Sequence, residues 1–306
     1  MVFNQKGGVG KSSITCNLGA ISAQHGFKIL VIDLDPQGNS THYLLGNDAK
    51  STNTVADYFS QTLSFNLIPK KSQEFFTATP FEHFSLITSD SELESIEKKL
   101  ESRNKAYKLR DLLNNLDNEF DHIFIDTAPA LDFHTMSLLI GADRVLIPFN
   151  CDAFSRHALY NILGIIEEMR EDHNENLVVE RVIVNQFQPR ANLPKRIVEE
   201  RQAEKQPLLP IYLNSSIKMR EPHQVCKPLI HFAPNHPLTI KFIELHEHNS
   251  SDTKVVRKRL PQQRKPPSCY TVYSLFLKFL SNKPEKFRQK KESHWLSGKP
   301  LKDKNT

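Results

Sequence analysis

The chain is poor in the residues that build metal clusters, disulfide frameworks and membrane spans. Its four cysteines, Cys16, Cys151, Cys226 and Cys269, are scattered, and no two have C-x-x-C spacing. That excludes a zinc ribbon and a stapled secreted scaffold, and leads us to expect a reducing, cytoplasmic compartment. No apolar run approaches the roughly 20 residues of a membrane helix, so no stable membrane insertion is expected. Lys6 and the early glycines also interrupt any apolar stretch of signal-peptide length. Glycine itself is scarce, with 10 in 306 residues. Three of those ten, Gly7, Gly8 and Gly10, nevertheless crowd into one short stretch.

The net charge of +5 hides a strong asymmetry. Residues 249–306 carry roughly 15 Lys/Arg against 4 Asp/Glu, and residues 1–248 carry roughly 25 against 31. A mildly acidic body therefore precedes a strongly basic tail, and we place the boundary at His248. VVRKRLPQQRKPPS reads as a linker, TVYSLFLKFL (271–280) as a lone apolar patch, and the remainder as basic, turn-rich chain of low structure. The tail reads equally well as a basic arm that strengthens nucleic-acid binding or as an extension without a role. No internal repeat is evident.

Within the body, KILVIDLD (28–35), HFSLITS (83–89), HIFIDTA (122–128), RVLIPF (144–149) and ERVIVNQ (180–186) read as buried strands. Helical patterns alternate with them at 12–26, 91–100, 106–116, 131–141 and 155–171. Strands that are apolar throughout, alternating with helices, predict an α/β fold with a mostly parallel twisted sheet covered on both faces. Only Met1, Val2 and Phe3 precede Asn4. The first strand is therefore expected to be very short, either trimmed at this start or beginning upstream.

NQKGGVGKSS (4–13) carries the chemistry. Glycines let backbone N–H groups close on phosphate oxygens, and the helix that follows points its positive end at the same anion. Gly7, Gly8, Val9 and Gly10 form the expected cradle. Lys11 is expected to reach the β- and γ-phosphates, Ser12 to hold Mg²⁺ and Ser13 to touch the α-phosphate. The ordinary phosphate-loop pattern has one lysine, and here Lys6 is a second. IFIDTAP (123–129) has the form of an apolar strand ending in a metal-holding carboxylate, Asp126, at the crevice where parallel strands end.

K-G-G-x-G-K-[ST] is the deviant Walker A motif, and over residues 2–247 the chain resembles the ParA/MinD class of P-loop ATPases. DLDPQGN (33–39) and D-T-A-P (126–129) match the family's second and third motifs. N-Q-K-G-G suits the ParA branch. The resemblance implies that Lys6 crosses a dimer interface to the partner's ATP, so that two subunits sandwich two nucleotides. It further implies that Asp35 orients the attacking water and that Asp33 lies near the metal or the loop. Asn185 would read the adenine edge, and Pro210 would pack near the base. Without the resemblance, Asp33 and Asp35 are a carboxylate pair in a turn before Pro36 and Gly38, and Asn185 is a loop-forming asparagine.

SIKMREPHQVCKPLIHFAPNHPL (216–238) resembles the C-terminal portion of ParA proteins, which bind DNA without sequence preference. Lys218 and Arg220 are the candidates there, with Lys195 and Arg196 as weaker ones, although solvated surface lysines look the same in sequence. The implied activity is Mg²⁺-dependent ATP hydrolysis, slow unless stimulated. The implied partners are a second copy of the chain, nonspecific DNA of the nucleoid and a ParB-like centromere-binding protein, with a plasmid or chromosome origin as cargo. No N-terminal helix-turn-helix domain is expected. The alternatives are a MinD-like membrane-cycling ATPase, with 271–280 as a crude membrane helix, and a DNA-binding protein whose nucleotide site is vestigial. The chain lacks the tyrosine cluster of a related kinase and the cysteine pair of an iron–sulfur reductase.

Overall fold

The computed structural model describes residues 1–46, 53–64, 68–116, 118–152, 155–204, 207–219 and 221–253. The chain divides into two units, Met1–Arg257 and Lys258–Thr306. The second unit, including the apolar patch at 271–280, lies outside the described residues. The elements are, in order, α1 (Lys11–Gln24), β1 (Ile29–Leu34), α2 (Asn39–Leu45), α3 (Val55–Leu63), β2 (Thr77–Ala78), β3 (Phe84–Ile87), α4 (Glu92–Ser102), α5 (Lys108–Leu116) and β4 (His122–Thr127). There follow α6 (Phe133–Gly141), β5 (Arg144–Asn150), α7 (Ser155–Asp172), β6 (Val178–Phe187), α8 (Asn192–Ala203), β7 (Leu208–Asn214), α9 (Glu221–Gln224), α10 (Leu229–Phe232) and α11 (Pro237–Thr253). Helix α11 continues to Thr253, past the expected end of the body at His248.

Four strands pair in the order β2-β3-β1-β4, and three more in the order β5-β6-β7. Among the described residues every ladder is parallel except β2–β3. The three residues before Asn4 join the two groups. Val2 N–H donates to Ile125 O at 3.0 Å, Phe3 N–H donates to Leu146 O at 2.9 Å, and Leu146 N–H donates to Met1 O at 2.9 Å. The short first segment thus lies between β4 and β5, and the phosphate loop leaves the middle of the layer.

β1 explains why the sheet is covered twice. All six of its residues are buried. Side chains of a strand point alternately to the two faces. Ile29 and Val31 pack into one apolar cluster with Ile14, Leu18 and Ile21 of α1 and Phe242 and Leu245 of α11. Leu30, Ile32 and Leu34 pack into another with Phe59 of α3, Leu93 and Ile96 of α4 and Leu112 of α5. An unbroken apolar strand is what two helical layers require. Gly19 permits the close approach of α1, since a Cβ there would stand 3.0 Å from the Phe84 ring and 3.4 Å from Val31 Cγ2.

Candidate functional site

The loop between Phe3 and α1 is shaped by its glycines. Gly8 and Gly10 have φ of 71° and 86°, the left-handed region that side chains disfavour. A Cβ on Gly10 would also lie 2.4 Å from Asn185 Nδ2, so a side chain here would be strained in torsion and would have to displace the Asn185 amide from the loop. The ends of β5 and β6 hold the loop from below. Asn185 Nδ2 donates to Val9 O at 2.8 Å, and Gln186 Nε2 donates to Gly8 O at 2.8 Å. Asn150 Nδ2 in turn donates to Gln186 Oε1 at 3.1 Å. At the loop's start, Asn4 Nδ2 donates to Pro148 O at 2.6 Å, and its Oδ1 accepts from Lys6 N–H at 2.8 Å.

The two lysines occupy different environments. Lys11 opens α1, is only 7% exposed, and donates from Nζ to Lys6 O at 3.2 Å. Burial pulls its pKa down, and the charges of Asp126 and Asp35 oppose that fall. The Lys6 side chain is 47% exposed and forms an ion pair with Asp152, just past β5. One ammonium group thus lies within the loop and the other at its outer side.

Three carboxylates gather at the strand ends. Asp33 of β1 and Asp126 of β4 are register partners, and both are fully buried. Asp126 Oδ2 accepts from Ser40 Oγ at 2.8 Å, and the carboxylate also accepts from the Ser12 hydroxyl. Asp33 Oδ2 accepts from Thr41 N–H and Thr41 Oγ1, both at 2.8 Å, while its Oδ1 accepts from Asp35 N–H at 3.1 Å. Burial raises the pKa of both buried acids, with the charge of Asp126 adding to the rise at Asp33. Such a pair favours a proton or a cation. Asp35 is 5% exposed, accepting from Gln37 N–H at 2.9 Å on Oδ1 and from Asn39 Nδ2 at 3.2 Å on Oδ2.

A glycine-rich loop that opens a helix, a lysine folded into it and hydroxyl-bonded carboxylates on adjacent parallel strands offer the donors that a phosphate and a hard cation take. Comparison with known proteins supplies the family. A family described as an AAA domain matches residues 1–179. The chromosome partitioning protein ParA of Myxococcus xanthus is 30% identical over 231 residues, which is 75% of this chain and 79% of that protein. The chain belongs to the ParA family of P-loop ATPases. An uncharacterised protein of Methanocaldococcus jannaschii is 31% identical over 254 residues, covering 80% of this chain and 95% of the relative. Among solved structures, the fold matches cobyrinic acid a,c-diamide synthase from Mycobacterium smegmatis, crystallised with an ATP analogue and magnesium. There the TM-score is 0.70 at 22% identity, over 87% of this chain and 97% of the other.

The structure places Lys6 in the loop, Lys11, Ser12 and Ser13 in the first turn of α1, Asp33 and Asp126 side by side in β1 and β4, Asp35 just past β1, and Asn185 of β6 against the loop at Val9. It does not bring Pro210 there. Pro210 lies inside β7 on its exposed side, beside the Val182–Val184 stretch of β6, short of the strand end. Asn214 is the β7 residue at the site's level, paired with Phe187 just past Asn185. β7 runs on for four residues beyond Pro210, and the proline's missing N–H falls on an irregular stretch of the ladder.

Lys218 is exposed on a short 3₁₀ turn, Ile217–Met219. Its Nζ is paired with Glu221 Oε2 at 2.5 Å and stands 5.7 Å from the centre of the Phe232 ring. Lys195 and Arg196 are exposed on α8, a separate element, and Arg196 is paired with Glu200 at 3.2 Å. Arg220 lies outside the described residues.

Sequence reading missed the residues that brace the site: Ser40, Thr41, Gln186, Asp152 and His223. Ser40 and Thr41 carried a signal, since they follow Gly38 directly at the start of α2. His223 lies in the 216–238 segment that was read for DNA contact, and nothing in the sequence linked it to the Ser13 hydroxyl 210 positions away.

Proposed function

We propose that this protein is a partitioning ATPase that uses ATP and Mg²⁺ to form a sandwich dimer on nonspecific DNA and releases it on hydrolysis. The observation that carries the reading is the separation of the two lysines. Lys11 is folded into its own loop, while Lys6 stands half-exposed at the loop's outer side, paired with Asp152. A charge supplied from across an interface makes ATP a dimerising ligand, because pairing is complete only when both subunits are loaded.

The donor set suits a hard cation. Ser12 and Ser40 offer hydroxyl oxygens, and Asp33 and Asp126 offer carboxylates, the oxygen chemistry Mg²⁺ takes together with water and phosphate. Bound there, Mg²⁺ would neutralise charge on the phosphates. In this reading Gly7, Gly8, Val9 and Gly10 turn backbone N–H groups to the phosphates, and Ser13 meets the α-phosphate. Asp35 aligns the attacking water. Asn185 offers its Oδ1 to the adenine amino group while its Nδ2 holds the loop, and Asn214 replaces Pro210 as the candidate beside the base. DNA contact falls to Lys218 and Arg220, with Lys195 and Arg196 as a second patch. A ParB-like partner on a plasmid or chromosome origin would stimulate hydrolysis, in the cytoplasm at the nucleoid. No described helix is long and apolar enough to cross a membrane.

The test compares binding to nonspecific DNA with ATP, with ADP and without nucleotide, at one salt concentration. Tight binding only with ATP is expected, together with ATP-dependent dimers in sedimentation. Lys6→Ala should keep nucleotide binding and lose the dimer, whereas Lys11→Ala should lose both. Equal DNA binding in all three nucleotide states would overturn the partition reading and favour a vestigial site.

A further inference from the structure

We propose that His223 is a positioning residue of the nucleotide site. It holds the Ser13 hydroxyl and ties occupancy of the phosphate loop to the segment 218–229 that begins with Lys218. The proposal rests on the reading that the loop binds nucleotide and that Ser13 faces it.

Ser13 Oγ and His223 Nε2 are 2.8 Å apart. The imidazole is held in place by more than that contact. It stacks on Tyr43 with ring centres 3.9 Å apart and planes 17° from parallel. Tyr43 is itself buried, and its hydroxyl accepts from Asn17 Nδ2 at 3.2 Å. Burial lowers the pKa of His223, which keeps the ring neutral near pH 7. A neutral imidazole carries its N–H on one nitrogen only.

Asn17 makes a second tie one helical turn along the same face of α1. Its Nδ2 donates to Ser13 O at 2.8 Å, and its Oδ1 accepts from Leu229 N–H at 2.7 Å. Residues 223 and 229 are therefore both fastened to the first turns of α1. Between them the chain reverses at Cys226, whose φ is 52°, and Lys227 N–H closes the turn onto Pro222 O at 3.1 Å. Lys218 is linked to this clamp through its ion pair with Glu221, the first residue of α9.

The hydroxyl of Ser13 has one proton. When it is donated to a phosphate oxygen, Ser13 Oγ can only accept from His223, so the imidazole must present Nε2–H. Without nucleotide, Ser13 can instead donate to an unprotonated Nε2. Nucleotide binding thus selects one tautomer of His223 and completes a donor chain from imidazole to hydroxyl to phosphate. The stabilisation is mutual: a segment 218–229 docked through His223 favours nucleotide, and nucleotide favours the docked segment.

The experiment uses full-length protein and three variants: His223→Ala, His223→Phe, which keeps a ring against Tyr43 without a hydrogen bond, and His223→Gln, which restores a donor. ADP affinity is measured by equilibrium binding, and amide hydrogen exchange across 217–232 is followed with and without ADP. In the wild type, ADP should slow exchange in that segment. His223→Phe should bind ADP on the order of tenfold more weakly and lose the ADP-dependent protection, and His223→Gln should recover part of both. Ser13→Ala combined with His223→Phe should be no worse than either change alone. Should His223→Ala fail to fold, the Phe and Gln variants carry the test. Wild-type affinity and wild-type protection in His223→Phe would overturn the proposal. Failure of the wild type to bind ADP would overturn the nucleotide reading instead, and the two failures are thereby distinguished.

Discussion

At the scale of single residues, the site is an economy of protons and positive charge. Asp35 has its carboxylate oxygens set by Gln37 N–H and Asn39 Nδ2, a fixed orientation suited to aligning water. Asp35→Ala should lower the ATP hydrolysis rate by about 100-fold or more while leaving ATP binding intact, so that ATP-bound dimers accumulate; steady-state phosphate release and sedimentation read both. Gly10→Ala meets φ of 86° and a contact at 2.4 Å together. It should abolish nucleotide binding in equilibrium titration, because the clamp by Asn185 has to open before the side chain fits. The Lys6–Asp152 pair gives a milder prediction. Asp152→Asn should leave ADP affinity unchanged within about twofold, because an exposed ion pair contributes ~1 kcal/mol or less and the Lys6 ammonium stands half-exposed at the outer side of its loop.

At the scale of elements, the packing of α1 on β1 and β3 governs whether the loop is presented at all. α1 carries eleven buried residues out of 14 and touches both the sheet and the C-terminal helices. Gly19 is the point of closest approach, facing Phe84. Gly19→Ala pushes a methyl group into that ring and should cost ~1–3 kcal/mol of stability in urea titration, with a matching loss of nucleotide affinity if α1 is displaced. The strands expected at 28–35, 122–128, 144–149 and 180–186 were legible because apolar β-branched runs between charged ends have few other uses. Helices α2 and α3 were not. α2 has seven residues, and it exists because Gly38 turns the chain and Asp33 accepts from Thr41 N–H in its first turn. α3 starts at a capping box made by Thr54 and Asp57, a local signal that the sequence does carry.

At the scale of the whole molecule, acid sensitivity has a definite source. His246 of α11 stacks on His25 of α1 with ring centres 5.0 Å apart. Burial lowers its pKa to about 4, and the charges of His25 and His122 push it further down. The unfolded chain, with an ordinary histidine near 6.5, binds the proton more readily. The stabilising contribution of neutral His246 is therefore complete above pH 6.5 and is lost as pH falls toward 4. Glu97 acts oppositely, its pKa raised to about 7 by burial and by Asp132, so its contribution is present below about 4.5 and is lost as pH rises toward 7. Comparing melting temperatures of wild type and His246→Phe between pH 7 and 4 isolates the histidine. The variant should lose less stability on acidification, and parallel curves would refute the assignment.

The sequence by itself determined the family, the residues that make up the loop and the alternation of the layers. Those signals are local: three glycines with two lysines within six residues, and apolar runs ending in aspartate. Tertiary structure decided the rest, since those contacts join residues far apart in the chain. It set the first three residues between β4 and β5, turned Lys11 inward and Lys6 outward, placed Asn214 rather than Pro210 at the strand end, and laid His223 against Ser13 across 210 positions. A motif specifies which groups meet a phosphate, but only packing decides which distant side chains hold those groups in place.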